Sequence, residues 1–238
     1  MKLAIVGRQK EDIELCKNYI SKHKDSFQID EKKPDIVVSF GGDGSFLFAE
    51  RKYPGIPKLI IRHNSVCKKC CELPVDLILE KLHKKEFEIE ESNKIEALVH
   101  KNGKIIKKIA SNDIVISNKL PYRALRFEVD VNGKKINDFF IGDGIVVATS
   151  FGSSGYFHSI TKKSFEKGFG VAFNNVTESK EPLHFDNSVI TLKVLRNNAY
   201  VSADNDPRMV IIQEGDEVRI KKSDEVFKII KMKNQKFT

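Results

Sequence analysis

Apolar positions along the chain fall into two textures, and the change between them comes near residue 86. Before it, short continuous apolar runs alternate with helix-period patterns. Residues 2–7, KLAIVG, predict a buried strand closed by Gly7, after which Ile13, Leu15, Cys16, Tyr19 and Ile20 fall near one helical face. Pro34 breaks a polar link ahead of the strand DIVVSF. SFLFAERK then predicts a helix start, ended by Pro54-Gly55-Ile56-Pro57. KLIIR predicts a third strand, and LPVDLILEKLHKK an amphipathic helix with Pro74 near its first turn. Strands alternating with helices in this way predict a parallel sheet with helices packed on it.

Beyond residue 86 the pattern becomes β-rich: EFEIEES, KIEALVH, KIIKKIA, DIVISN and ALRFEVDV, then SVITLKVL, AYVSAD, MVIIQ, EVRIKK and VFKIIKM. Asn102-Gly103 and Asn132-Gly133 sit between such runs, the strongest short signal for a hairpin. The expected fold is therefore an α/β domain with a parallel sheet over residues 1–86 and a β-rich domain over 87–224. The tail from about 225 to 238 is free to pack back on the first domain.

Composition narrows the function classes. The chain has 238 residues, 40% of them hydrophobic, enough for a real core. Lys and Arg number 41 against 33 Asp and Glu, a formal charge of +8. The basic residues are spread along the chain, which suits a solvated surface and anionic small substrates better than a nucleic-acid footprint. The opening MKLAIVGRQK has too short an apolar run for a signal peptide, and no stretch is long enough to span a membrane, so a cytoplasmic protein is expected. Cys67, Cys70 and Cys71 form CKKCC. A zinc site would need further ligands at suitable spacing, so these residues are read as structural or incidental.

The candidate chemistry begins at Gly41-Gly42-Asp43-Gly44-Ser45, at the exit of the second predicted strand. Glycines there let backbone turn sharply and approach a ligand closely, and the start of a helix after them favours phosphate oxygens. The loop lacks the Lys-Ser/Thr ending of a Walker A motif and the spacing of a Rossmann fingerprint. Asp43 would repel a phosphate. Its chemical uses are general base toward a hydroxyl, or partner of a metal carried by phosphates. A tight turn bearing an ordinary exposed aspartate explains GGDG alone equally well. A second constellation adds weight: Asn112-Asp113 open a strand, and GDGIVVATSFGSSGYFHSI carries Asp143, a buried run and a loop of small and hydroxyl side chains ending at Tyr156.

GGDGS after a strand, Asn112-Asp113 opening a strand and GDGIVVATSFGSSGY together resemble the NAD kinase family, and their order covers most of the chain. Ser45 stands where the family usually has Thr, Asp113 where it has Glu, Ser150 where it has Pro and Gly155 where it has Ala. HNSVCKKCCEL keeps only Asn64 of the family's segment after the third strand, and a Gly-Gly-Pro after the tyrosine loop is replaced by TKKSFEKGFG. The turn SADNDP resembles the family's late Asp-Gly turn, with Asn205 for Gly.

The resemblance implies transfer of a terminal phosphoryl group from ATP or polyphosphate to the adenosine ribose 2′-hydroxyl of NAD, with Mg²⁺ or another divalent cation carried by the donor phosphates. It implies Asp43 as the catalytic residue and Gly41, Gly42, Gly44 and Ser45 at the donor phosphates. Asp43, Gly44, Asn112, Asp113, Asp143, Ser154, Gly155, Tyr156 and Ser159 would contact NAD. It also implies a homodimer or homotetramer, with small-molecule nucleotides as partners and neither nucleic acid nor membrane. A non-catalytic dinucleotide sensor and a GGDG-type kinase acting on a lipid or sugar hydroxyl are the competing readings.

Overall fold

The computed structural model describes residues 1–62 and 69–233, so Asn64 and Cys67 lie outside the described residues. The chain divides into two compact units, Met1–Ser92 with Val226–Thr238, and Asn93–Glu225.

The first unit is α/β. Its elements are β1 (Lys2–Gly7), α1 (Lys10–Ser21), β2 (Gln28–Ile29), β3 (Ile36–Gly41), α2 (Asp43–Lys52), β4 (Lys58–Arg62) and α3 (Val75–His83), after which the chain leaves the unit within β5 (Phe87–Lys101). The strands run β2-β1-β3-β4, all parallel. β3 is buried at every position, as a strand covered on both faces must be. Leu3, Ile5, Val38, Phe40, Leu59 and Ile61 from the sheet pack with Cys16 and Ile20 of α1 and with Ile78, Leu79 and Leu82 of α3. Burial pushes the Cys16 thiol up to about 12, which leaves it an inert core side chain. Cys70 is disulfide-bonded, whereas Cys16 and Cys71 are free and buried.

The second unit is β-rich. It contains β6 (Lys104–Ala110), β7 (Asp113–Asn118), β8 (Leu125–Val131), β9 (Lys134–Lys135), β10 (Phe140–Gly142), β11 (Gly144–Thr149), the short α4 (Tyr156–Thr161), β12 (Phe169–Asn174), β13 (Leu183–Phe185), β14 (Ile190–Arg196), β15 (Ala199–Ala203) and β16 (Val210–Ile212). The chain returns to the first unit within β17 (Glu217–Met232). A six-stranded antiparallel sheet in the order β13-β12-β11-β7-β15-β16 carries the residues of interest. Its inner face shares a core with β8 and β14 through Ile114, Ile116, Ile145, Val147, Phe127, Leu192 and Val201.

The α/β and β-rich textures appear as expected, and both Asn-Gly pairs form tight hairpin turns. Asn102 and Gly103, and likewise Asn132 and Gly133, all have positive φ. Two boundaries differ. EFEIEES and KIEALVH are one 15-residue strand, and EVRIKK and VFKIIKM merge into one of 16, since no Gly or Pro interrupts either. The two-residue β2 carries no apolar alternation to betray it; both its residues are exposed.

Candidate active site

The glycine loop joins a buried strand to a helix with only Gly42 between them. β3 ends on Gly41, whose φ of 143° lies where side chains are rarely accommodated, and a Cβ there would sit 2.5 Å from the Ser45 Oγ. Gly42 caps α2, and the Ser45 N–H donates to its carbonyl at 2.9 Å. Asp43 is the first residue of the helix, two positions ahead of the predicted start, so an acidic side chain stands at the positive end of the helix dipole. Ser45 is buried against Gly41, and Gly44 is exposed. The helix is anchored from below. Buried Glu50 pairs with the Lys58 ammonium, which also donates to the Tyr53 carbonyl at 2.5 Å.

In the second unit Asn112 and Asp113 lead into β7, and Asp113 is 6% exposed. The Asn112 Nδ2 donates to the Asp113 carboxylate at 2.8 Å, so the two side chains are aligned as a pair. Thr149, at the end of β11, holds the same segment through its carbonyls. Its Oγ1 donates to Ser111 O at 2.7 Å and its N–H to Asn112 O at 2.9 Å, and Oγ1 accepts the Gly152 N–H at 3.1 Å. Burial, and secondarily the nearby Asp204 carboxylate, push Asp113 up to about 7 against the pull of the Asn112 amide.

Asp143 stands at the other end of the same strand pair. Asp113 is in register with Ala148, five residues from Asp143, which is roughly 17 Å of extended chain. The Asp143 carboxylate accepts the Asn118 and Asn175 side-chain amides, both at 3.0 Å. α4 bridges the distance. Gly155 faces Asn112, and the exposed Tyr156 accepts the Asn174 amide on its hydroxyl at 3.1 Å, while Asn174 O accepts the Asp143 N–H at 3.0 Å. Asn112, Gly155, Tyr156 and Asp143 thus line one strip of the second unit. Exposed Ser159 donates to Tyr156 O at 2.7 Å, and Ser154 is half-buried. Ser153 instead points inward, its hydroxyl bonded to Ser150 O and Phe165 O, so it shapes the loop. His158 contacts the Lys163 carbonyl at 3.3 Å.

The residues that sequence reasoning missed are those that hold the others. Thr149, Asn118, Asn174 and Asn175 sit on strands or turns whose partners are distant in the chain, and a polar residue at a strand end carries no local signal. In the SADNDP turn the left-handed residue is Asp204, at φ 50°, and not Asn205, which stands at the family's glycine. Aspartate tolerates that region, and its carboxylate is taken up by backbone N–H groups across the sheet. Among the described residues no group of three or more His, Cys, Asp or Glu could hold a metal ion.

Comparison with known proteins follows the same residues. A family model, the ATP-NAD kinase C-terminal domain, matches residues 111–232, just over half the chain. An NAD kinase of Sulfurimonas denitrificans is 36% identical over 127 residues, covering 51% of this chain and 44% of that protein. One of Natranaerobius thermophilus is 27% identical over 222 residues, covering 85% and 74%. The matched part thus spans less than half of the first relative and about three quarters of the second. Yeast NADH kinase, solved in complex with NADH, superposes with a TM-score of 0.85 over 98% of this chain and 84% of its own, at 15% identity, a likeness of fold. No helix among the described residues is long and apolar enough to cross a membrane.

Proposed function

Since the chain belongs to the NAD kinase family, we propose that it transfers the terminal phosphoryl group of ATP, or of polyphosphate, to the adenosine ribose 2′-hydroxyl of NAD, giving NADP. The observation that carries this reading is Asp43 at the first position of α2, directly off a fully buried parallel strand through a glycine with positive φ. A carboxylate so placed has the position of a base in a loop built for phosphate.

The reaction divides between two sets of residues. Asp43 accepts the proton of the 2′-hydroxyl as that oxygen bonds to the terminal phosphorus. The bond from that phosphorus to the bridging oxygen breaks, and the shortened donor leaves with the electron pair. Gly41, Gly42, Gly44 and Ser45 take the donor phosphates, whose divalent cation arrives as part of the donor and offsets their charge. Asn112 and Asp113 present an aligned amide and carboxylate to the dinucleotide, with complementary donors and acceptors for a ribose or carboxamide. Asp143, Ser154, Gly155, Tyr156 and Ser159 extend that contact along the strip toward the nicotinamide. Binding holds the reactants in line, which is most of what phosphoryl transfer asks of a protein.

The test is incubation of the purified chain with NAD, Mg²⁺ and either ATP or polyphosphate, followed by an NADP-specific dehydrogenase assay. NADP from at least one donor is expected. NAD binding without NADP from either would convert the reading to a sensor, and neither binding nor product would return it to lipid or sugar acceptors.

A further inference from the structure

Asp204 follows β15 in a left-handed conformation and reaches across to the segment that opens β7. Its carboxylate accepts three consecutive backbone N–H groups: Ser111 at 3.0 Å, Asn112 at 2.7 Å and Asp113 at 3.2 Å. Its own N–H donates to Asp113 O at 2.8 Å. The register of β15 on β7, with Ala203 opposite Ile114, sets this reach. Ser111 and Asp113 are buried, so their amides would go unmet without an acceptor supplied from elsewhere in the fold. Thr149 grips the carbonyl side of the same segment, and Asp204 grips the amide side.

Neutral side chains would serve this purpose poorly. An asparagine has one acceptor oxygen and would turn an NH₂ group toward the remaining amide, whereas a carboxylate offers acceptor sites to all three. The charge has a cost. Burial pushes Asp204 up, with the three amides and Lys94 opposing, and its proximity helps push Asp113 up as well. The three bonds hold residues 111–113 in one conformation, and with it the backbone from which the Asn112 and Asp113 side chains depart.

We propose that Asp204 is a positioning residue for NAD: by gathering the amides of residues 111–113 it sets where Asn112 and Asp113 meet the dinucleotide, and it acts on NAD affinity, leaving phosphoryl transfer itself untouched. This rests on the reading of Asn112 and Asp113 as dinucleotide contacts. Among the described residues, the Asn112 amide bonds Asp113, the Asp113 and Asp204 carboxylates face each other, and the Lys94 charge acts on Asp204, with Lys94 Nζ itself 3.4 Å from Glu225.

The experiment compares wild type, Asp204→Asn and Asp204→Glu by thermal melting, calorimetric titration with NAD and steady-state kinetics against pH. Asp204→Asn is expected to raise the Kd and KM for NAD about tenfold, the scale of a lost bond to a charged group, while the donor KM stays within about twofold. It also removes a charge beside Asp113, so the acid limb of kcat/KM for NAD moves to lower pH. Asp204→Glu keeps the charge but displaces the cradle, so NAD affinity falls while the acid limb stays. Equal rises in both KM values, a loss confined to kcat, or unchanged NAD affinity in either folded variant overturns the proposal. So does failure of both variants to fold, which would make Asp204 a fold residue. A wild type that binds NAD yet makes no NADP defeats the kinase reading and leaves the calorimetric comparison decisive for Asp204. A wild type that does not bind NAD defeats both.

Discussion

Gly152 packs its backbone so close to Asn112 that a Cβ on residue 152 would lie 2.1 Å from the Asn112 carbonyl oxygen. The obstacle is backbone already bonded to Thr149, so no side chain can swing aside to make room. Gly152→Ala is therefore expected to cost about 2–3 kcal/mol of stability and to weaken NAD binding about tenfold or more. Gly155 is the control. Its φ is −94°, and a Cβ would meet Gly152 O at 3.2 Å and Asn112 Nδ2 at 3.4 Å, so Gly155→Ala should cost under about 1 kcal/mol. Urea unfolding and NAD titration of both variants check the contrast.

The buried Lys58–Glu50 pair fixes α2, and with it the glycine loop at its start. Lys58→Met removes the cation paired with the buried Glu50 carboxylate and should destabilise the protein by about 3–5 kcal/mol. Lys58→Met combined with Glu50→Gln should recover much of that loss. Denaturation midpoints of the single and double variants measure it, and a double variant no better than the single would show that the pair is not the anchor.

Asp113 predicts the direction of pH dependence. Its ordinary value of 3.8 rises to about 7 in the fold, so between these limits the folded state holds a proton that the unfolded chain has released. That contribution is fully present below about pH 4 and is lost as pH rises to about 7. Asp204, also raised, acts with the same sign. Asp206, held down at about 2 by Arg208, acts in the opposite sense only at lower pH. Melting wild type and Asp113→Asn at about pH 5 and about pH 8 should show wild type losing more stability at the higher pH. Equal losses would contradict the raised value.

The chain showed in advance whatever depends on neighbours in sequence. The buried run into Gly41, the Asn-Gly turns and the strand opening at Asn112 all carry their cause within a few residues. The support for Asn112 and Asp113 does not. Thr149 and Asp204 lie 37 and 92 residues from Asn112, and only the antiparallel registers of β11 and β15 on β7 bring them there. The inward direction of the Ser153 hydroxyl is set by the short helical turn it occupies and by Phe165, and the local pattern of small and hydroxyl residues does not reveal it. At SADNDP the left-handed residue is Asp204, whose carboxylate accepts the amides of residues 111–113, and not the adjacent Asn205.

Whether Asp43 takes the proton from the ribose hydroxyl is tested most directly by comparing NADP formation by wild type and Asp43→Asn under saturating NAD and donor. Asp43→Asn keeps the size and polarity of the side chain at the start of α2 and removes its basicity. The expected result is a melting temperature lower by no more than a few degrees, from the lost interaction with the helix dipole, NAD binding within about tenfold of wild type, and a kcat lower by about 10²–10⁴-fold. A folded Asp43→Asn protein that makes NADP at close to the wild-type rate would contradict the account.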